Sequence, residues 1–172
     1  MIDDEPIYPR LQTWIDSKTY NVCTFFPPSA STMTVPKFDL KSINEFGAQR
    51  LPGYLGIEIT GVDNGEVAAR LEIKPHHLAP NEFLHAGTVV TLADTAAGYA
   101  CLANLPEGAN SFTTIELKSN HLGTARDGAI AAVAKPIHLG RTTQVWDVVV
   151  TNEANGKTIA LFRCTQMILY PK

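Results

Sequence analysis

The chain has 172 residues, 45% of them hydrophobic and 18% charged, with a net charge of −3 at pH 7. This length fits one domain with a substantial core, and the low charge suggests that other subunits cover part of the surface. The acidic balance argues against nucleic-acid binding. The first residues lack the basic start and apolar core of a signal peptide. Together with three widely spaced cysteines and no Cys-x-x-Cys pair, this predicts a cytoplasmic protein with reduced Cys23, Cys101 and Cys164.

Residues 1–38 differ in composition from the rest of the chain. They contain five prolines, which interrupt any long helical or strand period, and aromatic residues such as Trp14 and Phe25 among polar ones. We therefore expect an amino-terminal extension of unknown role that packs through its aromatic residues. The folded domain is expected to span residues 39–172.

A helix and a hairpin are predicted next. Asp39 is a suitable cap for a helix that begins at Leu40, and Pro52-Gly53 is expected to end it. The hydrophobic period then changes to two, and Asn64-Gly65 predicts a tight turn between two strands. Residues 74–84 contain two prolines and are predicted to form a loop.

The segment from His85 to Leu105 predicts a long helix that is apolar almost all round. Such a helix is a buried one. Asp94 is its one charged residue after His85. A bare buried carboxylate costs several kcal/mol or more, so it must be paired, protonated or facing a polar cavity. Asp94 is therefore the first candidate for chemistry. Gly98 and Asn104 interrupt the apolar run, which argues against a membrane span.

Four further strands are predicted after this helix, over residues 111–121, 129–138, 142–152 and 158–170. Asp127-Gly128, Gly140 and Asn155-Gly156 mark the turns between them. The order of elements predicts an α+β fold in which a six-stranded, mainly antiparallel sheet lies on one long helix. A curved sheet can wrap much of that helix, and an oligomer partner is expected to cover the rest.

Two motifs resemble the hotdog-fold acyl-CoA thioesterases, and most closely the phenylacetate-pathway (PaaI-like) group. They are Leu84-His-Ala-Gly87 and the segment Leu92–Ala100. In that group the helix starts with His-Gly-Gly and carries a catalytic Asp nine residues after the His, which is the spacing of His85 and Asp94. Residues 113–125, 135–152 and 156–168 are similar to the closing strands of the family. The resemblance spans residues 40–170 and implies a long central helix wrapped by a curved six-stranded sheet.

The chain departs from the family pattern at two places. The first glycine after the His is Ala86 here, which keeps the backbone N–H but adds a methyl group. The family often carries an Asn or Gln six residues before the His, where this chain has Ala79. The nearest candidate for this polar helper is Asn81, four residues before the His.

The resemblance implies thioester hydrolysis at a site shared between subunits. The amides of Ala86 and Gly87 lie at a helix start and would polarise the thioester carbonyl, a contribution of roughly 3–4 kcal/mol per donor. Asp94 would act as nucleophile or as general base on a water that Thr114 positions. His85 is expected to tie the loop rather than to shuttle a proton. The amides and the carboxylate would come from different subunits of a homodimer, itself paired into a homotetramer.

Coenzyme A, as part of the substrate, is the one cofactor-like group expected. Arg141 after Gly140, with Lys118, would meet its phosphates, and Asn120 and His121 would line the pantetheine channel. No metal site is predicted, because the histidines lack an acidic or cysteine partner at ligand spacing.

Three functions remain open from the sequence. The leading one is an acyl-CoA thioesterase acting on a small aromatic or a short- to medium-chain acyl group. A hotdog dehydratase acting on acyl thioesters would require a histidine that works with Asp94. A non-catalytic acyl-CoA-binding module is favoured by Ala86 and by the missing Asn or Gln at Ala79.

Overall fold

The computed structural model describes residues 39–171, so the extension and Cys23 lie outside the described residues. These residues form three helices and six strands, with a short 3-10 turn at Pro75–His77. In chain order they are α1 (Leu40–Gly47), α2 (Leu51–Leu55), β1 (Ile57–Asp63), β2 (Glu66–Glu72), α3 (Ala86–Ala103), β3 (Ser111–His121), β4 (Ala129–Leu139), β5 (Thr143–Asn152) and β6 (Thr158–Leu169).

All six strands form one antiparallel sheet in the order β1-β2-β4-β5-β6-β3. The predicted strands after the long helix are each confirmed to within about one residue. β3 lies at an edge and pairs with β6 alone among residues 39–171. Its other side therefore presents unpaired backbone groups, the usual template for another strand.

α3 lies on the inner face of the sheet and forms the centre of the core. Leu92, Ala93 and Ala96 are fully buried there, against residues such as Trp146 and Phe162. One stripe of α3 is only half-buried by the rest of the described chain, and its members are Val90, Thr91, Asp94, Thr95, Gly98 and Leu102. Within the described chain α3 alone has the length and hydropathy to span a membrane, but half of it is buried by the protein. These six residues form the open stripe of α3.

The far end of α3 is tied to two other elements. The Asn104 side chain donates to the carbonyl of Gly65 in the β1–β2 turn at 3.1 Å and to that of Ala100 at 2.8 Å. The Gln144 amide donates to the carbonyl of Asn104 at 2.7 Å, and Trp146 donates to Gln144 at 3.2 Å. These bonds fix where α3 lies along its own axis.

The predicted single helix after Asp39 is wrong, because the structure has two short helices there. Asp39 does cap α1, and its carboxylate accepts from the Ser42 N–H at 2.9 Å. Pro52 lies in the first turn of α2 and begins that helix instead of ending one, since its missing N–H has no partner to lose there. Gly56, at φ 69°, ends α2.

Candidate active site

The start of α3 presents one free backbone amide. His85 is the cap of the helix, and its ring Nδ1 accepts from the Gly87 N–H at 2.8 Å. The N–H of the exposed Ala86 has no hydrogen-bond partner among residues 39–171. Of the two predicted donors, Ala86 is therefore available, whereas Gly87 is already occupied by the His85 ring. Because Nδ1 accepts, the neutral ring carries its proton on Nε2.

The loop before α3 ends in a tight turn that holds Asn81 at its tip. Ala79 donates its N–H to the carbonyl of Phe83 at 2.8 Å, and Glu82 adopts a left-handed φ of 65°. The side-chain oxygen of the exposed Asn81 accepts from the Phe83 N–H at 3.3 Å. Asn81 thus completes the turn, and Ala79 brings no polar side chain to the position of the family helper.

Asp94 lies on the open stripe of α3 with an unsatisfied carboxylate oxygen. Its Oδ1 is buried and has no hydrogen-bond partner within residues 39–171. Burial raises the pKa of the Asp94 carboxyl above the ordinary value of 3.8. Burial first, and the charge of Asp94 second, also raise the pKa of the Cys164 thiol on β6 to about 12. The buried Cys164 thiol is therefore too weakly acidic to be a nucleophile.

The inner face of β3 continues this polar region. Thr114 is paired with Gln166 and Leu117 with Cys164, so these β3 side chains point to the same face as their buried partners on β6. Ser119 Oγ and Gln166 Oε1 are buried without a hydrogen-bond partner in the described part of the chain. Buried polar atoms normally have partners, and these two lie on the inner face of β3 and β6, which α3 contacts.

The residues predicted to bind coenzyme A are not gathered in one protomer. Lys118 pairs with Arg163 and Asn120 with Leu161, which places both on the outer face of the sheet, whereas His121 pairs with Ala160 on the inner face. The predicted association of Lys118 and Asn120 with the site of Asp94 is therefore not found within one protomer, because alternate strand residues point to opposite faces.

Gly140 and Arg141 lie at the end of the sheet where β3 begins. The hydroxyl of Tyr170 donates to the Arg141 carbonyl at 2.7 Å, and the Arg141 guanidinium lies 5.5 Å from the Tyr170 ring centroid. The start of α3 lies at the other end, where the Leu84 N–H donates to Ala125, after β3, at 2.9 Å. The 11 residues of β3 separate the two ends by about 33 Å.

Comparison with known proteins identifies the family. The sequence model of the thioesterase superfamily matches residues 81–159, from the loop before α3 into β6. The chain is also 31% identical over 136 residues to the 1,4-dihydroxy-2-naphthoyl-CoA hydrolase of Escherichia coli K12, covering 77% of this chain and 96% of that protein. The chain belongs to the thioesterase superfamily.

Solved structures of known proteins share its fold. Thioesterase HI1161 of Haemophilus influenzae has a TM-score of 0.74 and 30% identity, covering 78% of this chain and 92% of its own. The E. coli PaaI protein from the phenylacetic acid degradation operon has a TM-score of 0.62 and 28% identity, and the match covers 69% of this chain and 83% of the PaaI chain. The predicted hotdog fold and the predicted class of thioester hydrolase are confirmed.

For a thioesterase, the distance between the two candidate catalytic groups matters. Asp94 follows Ala86 by eight residues on one helix, which corresponds to about 12 Å along the axis. Reacting atoms must approach to about 3–3.5 Å. One thioester carbon therefore cannot contact both groups of the same protomer.

Two residues near the thioesterase helix start were missed by the sequence reading. The guanidinium of Arg126 lies 4.2 Å from the centroid of the Phe83 ring, and His77 is fully buried beneath the same loop. Both depend on contacts between residues far apart in the chain. No local sign in the sequence indicated that His77 is buried, because it lies in a predicted loop and histidines in loops are usually exposed.

Proposed function

We propose that this protein is a cytoplasmic acyl-CoA thioesterase that hydrolyses a small aromatic or a short- to medium-chain acyl-CoA to the free acid and coenzyme A. The observation that carries the proposal is the buried, unpartnered carboxylate oxygen of Asp94 on the open stripe of α3. Asp94 attacks the thioester carbon or takes a proton from the attacking water, which Thr114 positions. The aromatic acyl group in the name of the E. coli relative supports the aromatic choice.

The Ala86 N–H is the proposed oxyanion donor. It is the free amide at the positive end of the α3 dipole, and one such donor contributes roughly 3–4 kcal/mol to the transition state. The methyl group of Ala86 narrows the space beside the carbonyl and so influences which acyl groups fit. The proposed chemistry uses no cofactor beyond the coenzyme A of the substrate.

The site is proposed to form between two copies of the chain. About 12 Å separates Ala86 from Asp94 within a protomer, so a partner must bring one of them to the substrate. The free edge of β3 supports a two-fold antiparallel pairing of β3 with its copy. That pairing would bring the start of α3 in one protomer beside the β4–β5 turn of the other. Arg141 of one protomer would then meet coenzyme A phosphates held near Arg126 of its partner.

Pairing of two such dimers through the outer face of the sheet is the proposed route to a tetramer. That face exposes Leu161, Met167 and Leu169. Its central charges are already paired within the protomer, as Arg163 with Asp147 and Lys135 with Glu66. These two ion pairs can be covered without leaving any of their four charges unpaired.

A non-catalytic acyl-CoA-binding module is the second candidate. It is favoured by the His85 ring, which occupies the Gly87 N–H, and by the absence of a polar side chain at Ala79. A dehydratase receives less support, because the relatives that the chain matches are named as a CoA-thioester hydrolase and a thioesterase.

A panel of acyl-CoA substrates tests the proposal. Benzoyl-, phenylacetyl-, 1,4-dihydroxy-2-naphthoyl-, butyryl- and octanoyl-CoA are each incubated with the protein, and the released thiol is measured with a chromogenic disulfide. We expect turnover of at least one aromatic or medium-chain member. Calorimetric binding of these compounds without thiol release would instead establish the binding module and overturn the enzyme.

A further inference from the structure

His77 connects the loop before α3 to the start of that helix. Its side chain is fully buried, and its ring Nδ1 accepts from the Lys74 N–H at 3.0 Å, which closes the 3-10 turn. The carbonyl of His77 accepts from the His85 N–H at 3.0 Å and from the buried Thr88 hydroxyl at 3.1 Å. The ring thus holds the turn, and the carbonyl at the end of the turn holds the residue that precedes Ala86.

The charge state of the His77 ring is constrained by its surroundings. Since Nδ1 accepts, the proton is on Nε2, which is buried and has no hydrogen-bond partner in residues 39–171. Burial foremost, and the nearby His76 and Lys74, lower the pKa of His77 below 6.5. The His76 ring centroid lies 4.2 Å away. The backbones of Leu55 in α2 and Glu72 in β2 raise the pKa of His77, but the net shift remains downward.

We propose that His77 is a positioning residue of the thioesterase site, whose neutral ring fixes the direction of the Ala86 N–H. It touches no substrate and acts through His85 and Thr88. Protonation would turn the Nδ1 acceptor into a donor that faces the Lys74 N–H, so the turn would open and release the start of α3.

The pH dependence follows from the direction of the shift. Because the pKa of His77 is lower in the folded protein than its ordinary 6.5, the unfolded chain binds the proton more readily. The contribution of the neutral ring is present above pH 6.5. It is lost as the pH falls towards the folded-state pKa.

Two substitutions and one matched control test this proposal, which rests on the proposed thioesterase function. His77→Phe keeps an aromatic ring but removes the acceptor, whereas His77→Asn keeps an acceptor oxygen that does not titrate. His76→Gln removes the exposed neighbouring histidine. For each variant kcat and KM are measured from about pH 5 to pH 8.5. The hydrogen-exchange protection of the His85 amide is measured without substrate.

We expect His77→Phe to lower kcat by about 10²-fold with little change in KM, since small misplacements of a catalytic group have such effects. The hydrogen-exchange protection of the His85 amide should fall together with kcat. His77→Asn should keep kcat at pH 7.5 and show a shallower loss of activity below pH 6.5, where only the Asp94 titration remains. His76→Gln should keep kcat and the His85 protection at pH 7.5, with its acid limb displaced to higher pH, since His76 lowers the pKa of His77.

The proposal is overturned by unchanged kcat and His85 protection in His77→Phe. It is also overturned if His77→Asn is as inactive as His77→Phe, or keeps the original acid limb. If His77→Phe does not fold, the pH profile of kcat for His77→Asn decides whether the proposal stands. If the unsubstituted protein releases no thiol, the proposed function fails. The His85 protection factors of the folded variants then still decide the role of His77.

Discussion

Asp94 carries a charge at a position where the fold gains nothing from it. Its Oδ1 has no donor among residues 39–171, and burial raises its pKa above 3.8. The native state therefore binds this proton more tightly than the unfolded chain does. The free energy of unfolding falls as the pH rises from about 4 through the folded-state pKa, and it stays lower at neutral pH. Perturbed buried acids of this kind cluster at functional sites.

Asp94→Asn separates stability from activity. The amide keeps the shape of the side chain and removes the charge, so we expect a higher melting temperature at pH 7.5 and little change at pH 4. Thiol release should fall by about 10³-fold, because the base or nucleophile is gone. Calorimetric melting at both pH values and an acyl-CoA assay provide the measurement.

Asp127→Asn is the matched control, since Asp127 is an exposed acid in the β3–β4 connection. Asp127→Asn should change neither the melting temperature nor the rate of thiol release. An Asp94→Asn variant that remains fully active would remove Asp94 from the mechanism.

The sequence predicted that Asp94 is a single charge in an apolar helix, but it did not predict which residues surround the carboxylate. Asp94 stood out because its neighbours are uncharged. The bond between the His85 ring and Gly87, and the burial of His77, depend on how the loop folds back. The faces of Lys118 and Asn120 were set by the register with β6, which no local pattern contains.

Among the elements, the strands were predictable and the first helices were not. Alternating side chains and turn residues defined β3 to β6, because both signals are local. Pro52 was ambiguous, since proline follows helix ends and also occupies first turns. The structure selects the second role. The free edge of β3 became visible only with the strand order.

Leu117→Lys tests the role of the β3 edge. Leu117 faces inwards on β3 and is still 42% exposed, so a lysine can reach solvent in a lone protomer. In the proposed dimer the same lysine would lose its water. We expect an intact circular dichroism spectrum, loss of the β3-paired dimer in sedimentation velocity, and loss of thioesterase activity.

Met167→Lys serves as the comparison, because Met167 is similarly exposed, at 40%, but lies on the outer face. It should leave the dimer and its activity in place. A dimeric, active Leu117→Lys protein would contradict pairing through β3.

For the whole molecule, the decisive question is whether each site takes residues from two chains. Ala86→Pro removes the proposed oxyanion N–H at the first helical position, where proline is tolerated. His85, at φ −67° and ψ 133°, has the extended backbone that a following proline requires. We expect Ala86→Pro and Asp94→Asn to be inactive alone.

Mixing and re-equilibrating the two variants should restore activity. A mixed dimer has one site with both intact groups, and half of the dimers are mixed, so about a quarter of the unsubstituted activity is expected. Ala86→Gly, which keeps the N–H, should stay active alone. A mixture that remains inactive while mixed dimers are detected by mass spectrometry would place both groups in one chain.

The anchoring of Asn104 has a consequence for how such an enzyme can vary. Asn104 is ten residues beyond Asp94, about 15 Å along α3, and its bonds to Gly65 and Gln144 act as an end-stop for the helix. Residues outside the proposed site thus determine where the Asp94 carboxylate lies along the helix axis. A substitution in the distant β1–β2 turn would therefore shift α3 along its axis. Such a substitution would change the turnover rate without altering any residue at the proposed site of cleavage.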